Sequence, residues 1–172
     1  MEKLPVTYRE SEEIAKIARD LIYDYHTDLA VARIRYLFRS ETATSKGKEI
    51  WGKARKVSGL NAWLAGEEST YEGTEPLPFF VIEISEPVWR KLDDKGKRAL
   101  VDHELMHCDI DLDSGKYNIV PHDLEEFNSI VRRHGLWRAD VEFFVKAANE
   151  KLPLFDRPLQ EEQPAEAASK SA

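Results

Sequence analysis

A single cysteine, eight glycines and eight prolines in 172 residues leave this chain little covalent or conformational scaffolding. One thiol, Cys108, excludes an internal disulfide and a cysteine-rich zinc ribbon, and it predicts a reducing, cytoplasmic setting. There is no run of eighteen apolar residues, so no segment reads as spanning a membrane. The opening Met1-Glu2-Lys3-Leu4-Pro5 lacks the basic-then-apolar order of a secretory leader. A surplus of positive charge is missing too. The 25 Lys and Arg against 32 Asp and Glu give a net charge of -7, which argues against charge-driven nucleic-acid binding by the whole surface. No internal repeat is visible.

What is present suits a globular protein: 33% charged and 42% apolar residues, and length enough for one domain with a core. That domain is expected over residues 1–152. Beyond it the composition turns to Pro, Glu, Gln, Ala and Ser, and residues 153–172 read as a flexible tail. Charge is unevenly spread. Arg33, Arg35, Arg39, Lys46, Lys48, Lys53, Arg55 and Lys56 are opposed only by Glu41 and Glu49. Such a stretch most often forms a solvated face. Its second meaning is contact with a nucleic acid or an acidic partner through residues 33–56.

Apolar spacing predicts the elements. Ile14, Ile17, Ala18, Leu21, Ile22 and Tyr25 form a helical stripe over residues 11–25, with Ser11 as its cap. Residues 29–38 fit a helix or a helix running into a strand, 40–47 a loop, and 53–58 a short strand. Residues 79–84 make the best strand, β-branched and aromatic between Pro78 and Ser85. Ser85 and Pro87 open a further helix. Another is expected from about 97 to 110, then a loop to 121 turning at Asp113-Ser114-Gly115. Helices follow from Asp123 to Gly135 and over 137–148. Helices flanking a short sheet place the chain in the α+β class.

The chemistry sits at His103-Glu104-Leu105-Met106-His107, an H-E-x-x-H pattern inside the helix expected over 97–110. Residues four apart share a helical face, so both imidazoles can reach one metal ion. Glu104 lies one step round, placed to act on a water without binding the metal. Ala99, Leu100, Leu105, Met106 and Ile110 give the segment apolar flanks, and buried polar groups need partners that a metal supplies. The pattern predicts a zinc hydrolase, with Zn2+ as cofactor and Glu104 as general base.

A catalytic zinc commonly takes three protein ligands. Asp111 lies four residues past His107, on its face if the helix continues. Glu125 or Glu126 would make a glutamate-ligand site. His122 is the preferred candidate: it follows Pro121 where a loop ends and a helix opens, and imidazole commonly completes a two-histidine site. His134 before Gly135 reads better as a helix C-terminal residue.

The segment His122-Asp123-Leu124-Glu125-Glu126-Phe127, fifteen residues after His107, resembles the SprT-like zinc metalloprotease pattern. It departs from that pattern in the residue between Glu125 and Phe127. Residues 32–38 (Ala-Arg-Ile-Arg-Tyr-Leu-Phe), 52–57 (Gly-Lys-Ala-Arg-Lys-Val), 102–108 and 122–127 together are similar to the phage metallopeptidase domain. The likeness spans about residues 8–150. It implies a phage or prophage origin, a minimal zincin fold and a protein or peptide substrate. The missing zinc ribbon puts DNA delivery of substrate in doubt.

On this reading the enzyme is an endopeptidase working with a zinc-activated water and Glu104. Glu126, Asp123 or Glu125 would orient the histidines, with Glu126 favoured one turn after His122. The strand carrying Phe80, Val81, Ile82 and Glu83 would receive the substrate as an added strand. The sequence does not mark the oxyanion stabiliser; Tyr117 and His134 are guesses for it. Two other readings compete: a nucleic-acid-associated module with a structural zinc, and a host-factor-binding phage protein whose site is unused.

Overall fold

The computed structural model describes residues 5–65, 77–124 and 128–151. In chain order these form β1 (Tyr8–Glu10), α1 (Glu12–Tyr25), a 3-10 turn (Thr27–Val31), β2 (Arg33–Arg39), β3 (Ala43–Ser45), β4 (Lys48–Ile50) and β5 (Gly52–Lys56). Then come α2 (Leu60–Leu64), β6 (Phe79–Ser85), α3 (Glu86–Trp89), α4 (Asp94–Met106), β7 (Cys108–Ile110), β8 (Tyr117–Ile119), α5 (Asn128–His134) and α6 (Ala139–Lys151). The mixture is α+β, as the spacing implied. Packing divides the chain into Met1–Pro121 and His122–Ala172. The tail expected over 153–172 lies outside the described residues.

Within the first unit, four strands form a sheet in the order β1-β2-β6-β5, with β2 and β6 parallel and the other pairs antiparallel. Side chains alternate along a strand, so Phe80, Ile82 and Ile84 share one face of β6. They are wholly buried, together with Ile14, Ala18 and Leu21 of α1, Leu29 of the 3-10 turn, and Val101 and Leu105 of α4. This single cluster clamps α4 against the sheet. Three polar pairs align α4 with α1 and the residue after it: Lys97–Glu13 at 3.0 Å, Arg98–Asp24 at 3.3 Å and His26–Asp102 at 2.7 Å.

The caps behave as their residue types dictate. Ser11 accepts from the Ile14 amide, Ser85 from that of Val88, and Asp93 from that of Gly96 at 2.7 Å. Asp93 therefore starts α4 three residues earlier than expected. The ambiguous segment 29–38 resolves into the 3-10 turn and β2. The loop expected over 40–47 instead enters a hairpin, β3 with β4, turning at Lys46 and Gly47, both at positive φ.

The helix expected to reach 110 stops at Met106. Cys108–Ile110 pairs with β8, in the span read as loop, and the Val120 amide donates to the His107 carbonyl at 2.8 Å. Asp111 builds the turn between these strands, accepting from the Asp113 and Ser114 amides at 3.0 and 3.2 Å. Those bonds and the Ser114 hydroxyl hold its carboxyl below the usual range. Asp111 is thus removed from the helical face that made it a candidate ligand.

In the second unit α5 ends at His134, and Gly135 follows at positive φ with its amide on the Val131 carbonyl. Val141 is the buried residue of α6.

Candidate metal centre

The last turn and a half of α4 carries His103, Glu104 and His107. The two histidines stand on one face with ring centroids 5.0 Å apart and planes at 85°. His107 caps the helix, and its Nδ1 bonds to the Val120 carbonyl at 2.6 Å. A carbonyl only accepts, so Nδ1 carries the proton and Nε2 keeps its lone pair for a metal. Strand β8 leads through Val120 and Pro121 straight to His122. One ligand nitrogen from each of His103, His107 and His122 lies within 4.8 Å of the others. Three imidazoles at that spacing suit one divalent ion.

Glu104 has a different setting. It is 3% exposed, whereas His103 and His122 are exposed and His107 is half-buried. Burial pushes its carboxyl up to about 7 against the opposing pull of His107 and of the Ala54 backbone N–H, with nearby Glu83 adding to the rise. Oε2 is buried without a hydrogen-bond partner among the described residues. Glu104 is thus a buried carboxyl with one oxygen left over, adjacent in sequence to one of the three clustered histidines.

Of the expected orienting carboxylates, Asp123 is exposed, while Glu125 and Glu126 lie outside the described residues. The Val120 carbonyl is the orienting partner that sequence reading missed. His26, buried and paired with Asp102, links the end of α1 to the residue before His103. Cys108 packs with its thiol on the Glu104 carbonyl at 3.7 Å, and burial raises it to about 12.

Two expectations need correction. Phe80, Val81, Ile82 and Glu83 were expected to receive the substrate strand, but β6 is hydrogen-bonded to β2 on one side and β5 on the other. Its backbone has no edge to offer. β5 is the edge strand next to it. Tyr117 was one guess for the oxyanion stabiliser. Its hydroxyl instead donates to the Val57 carbonyl at 2.9 Å, and its ring stands edge-on to Phe80 with Lys56 over it. The other guess, His134, sits in the last turn of α5.

Alternation along β2 and β5 sends Arg33, Arg35, Arg39, Lys53 and Arg55 to the sheet face away from the core. Several basic residues of this stretch have partners within the molecule. Arg39 donates to the Glu41 and Ile50 carbonyls, Arg55 pairs with buried Glu83 at 2.8 Å, and Lys56 donates to the Tyr117 carbonyl at 2.6 Å.

Among the described residues, no helix is long and apolar enough to cross a membrane. No curated protein and no solved structure matches the chain. The family described as "Putative phage metallopeptidase" matches residues 6–149, most of its length, and the chain belongs to that family.

Proposed function

We infer, from that membership and from the three converging imidazoles, that this protein is a zinc-dependent endopeptidase of phage or prophage origin with a zincin-type site. The observation that carries the reading is the grouping of His103, His107 and His122 within 4.8 Å. An all-imidazole set is a donor set that zinc takes in catalytic sites, where a further position stays open. Zinc bound there would polarise the scissile carbonyl and acidify a water to a pKa of about 7.

The chain's own residues supply the rest. Glu104 takes a proton from the attacking water and delivers it to the leaving amine nitrogen. Its burial, with one oxygen lacking a hydrogen-bond partner among the described residues, suits a carboxylate that takes up a proton and passes it on. The Ala54 N–H steadies its position. The substrate lies along β5, the edge that β6 lacks. Ser85 donates to the Trp51 carbonyl and Val57 donates to that of Phe79, so the groups of Gly52 and Ala54 face outward from the ladder. The Gly52 and Ala54 carbonyls are then the acceptors for an added strand. Nucleic-acid contact through residues 33–56 is the weaker reading, since Arg39, Arg55 and Lys56 already have partners inside the molecule.

The test is a peptide-library digest with the zinc-loaded protein and with Glu104→Gln. The variant keeps its zinc and loses hydrolysis by about 10²–10⁴-fold. Equal cleavage by both proteins removes Glu104 from the reaction.

A further inference from the structure

We propose that Gly52 is a positioning residue for Glu104: its missing side chain is the slot through which the Glu104 carboxylate reaches the edge strand. This rests on the peptidase reading for its catalytic consequence, but not for its geometry.

Four glycines of this chain, Gly47, Gly59, Gly115 and Gly135, stand at positive φ with open space where a side chain would go. They are there for backbone freedom. Gly52 is the reverse case. Its φ lies outside the left-handed region, so its backbone would accept any residue, yet a Cβ would have nowhere to go. Built on the backbone, that atom falls 2.7 Å from Glu104 Cδ and 2.9 Å from Cγ, with Oε1 closer still. Atoms do not pack at those separations, so one of the two side chains must yield.

Glu104 has little room to yield as a whole. Its helix is pinned on either side by Val101 and Leu105, both fully buried. Its carbonyl holds the Cys108 thiol. Only the carboxylate end can swing, and swinging breaks its bond to the Ala54 N–H two residues along β5. β5 therefore grips the carboxylate twice, by a gap at 52 and a donor at 54. Both the gap and the donor belong to β5, so a side chain at 52 should move the proton acceptor and spare the metal.

The first experiment needs neither metal nor substrate. Thermal unfolding of the metal-free protein is measured for wild type, Gly52→Ala, Glu104→Ala and the double variant. Gly52→Ala lowers Tm by about 5 °C in the wild-type background, as overpacking does. It lowers Tm by less than about 1 °C once Glu104→Ala has emptied the slot. Equal losses in both backgrounds overturn the proposal. Because the double variant carries no clash, poor folding of Gly52→Ala alone is itself read by the cycle as coupling.

The second experiment uses the zinc-loaded protein. Gly52→Ala retains one zinc and its KM while kcat falls about 100-fold, and it costs nothing further in a Glu104→Asp background, where the shorter side chain does not fill the slot. An unchanged kcat, or a parallel loss of zinc, overturns the positioning role. A wild-type chain that cleaves no peptide contradicts the peptidase reading, and the stability cycle still decides whether Gly52 and Glu104 fit as described.

Discussion

Strands β6 and β5 lie side by side and could hardly differ more. β6 is Phe-Phe-Val-Ile-Glu-Ile-Ser, with six of its seven residues buried and both backbone edges paired. β5 is Gly-Lys-Ala-Arg-Lys, with one residue buried and one edge unpaired within its sheet. The apolar strand builds the core that holds α4. The plain one meets the Glu104 carboxyl, through a glycine with no side chain and an alanine acting by its amide. Hydrophobicity marks where a chain is buried. Chemistry collects where backbone groups are left over, which is at the edge of a sheet.

The comparison can be strained by substitution. Ile82 is fully buried in β6, and Ile82→Ala should cost about 2–5 kcal/mol of stability in urea unfolding. Lys53 is exposed on β5, and Lys53→Ala should stay within about 0.5 kcal/mol. Similar costs for the two would mean that β5 belongs to the core after all.

A pH experiment sharpens the contrast between the buried acid and its exposed neighbours. The folded pKa of Glu104, about 7, lies above its ordinary value of 4.5, so the folded chain holds that proton more tightly than the unfolded one. The charged form is the disfavoured one. Its penalty is absent below pH 4.5, grows as pH rises towards 7, and is constant above. In the metal-free protein, Glu104→Gln should therefore match wild type near pH 4.5 and exceed it by about 3 kcal/mol at pH 8. A gap that does not change with pH would show that the carboxyl is solvated.

The smallest expected effect concerns the end of β5. The Tyr117 hydroxyl donates to Val57, the residue after the strand, and Tyr117→Phe should cost about 1 kcal/mol while leaving zinc content unchanged. A large loss of hydrolysis in that variant would return Tyr117 to the oxyanion role it was first assigned.

Much of this architecture is legible in the sequence. The stripe of α1, the run of β6 and the caps at Ser11 and Ser85 follow from side-chain period and hydrogen-bonding capacity, which sequence displays directly. His103 and His107 stood out by their spacing, and His122 was the preferred one of several candidates for a third position; the three group together in the structure. The end of α4 was not, because Cys108-Asp109-Ile110 fits a helix locally and only pairing with β8 turns it into a strand. The same long-range choice removed Asp111 from the ligand candidates. Val120 acts through its carbonyl, which every residue has, and Ala54 through its N–H, which every residue but proline has, so no pattern announces them. Gly52 was not legible, because the strand was expected over 53–58; only the observed start of β5 at 52 makes it a strand glycine, which marks a close approach, here by Glu104.

The central claim is that His103, His107 and His122 share one divalent ion. Zinc content and affinity of purified wild type and His122→Ala test it most directly. The account predicts one zinc per wild-type chain and a fall in affinity of at least about 100-fold in the variant, with the fold intact by circular dichroism. One tightly held zinc in both proteins would contradict it, and would place the third ligand elsewhere.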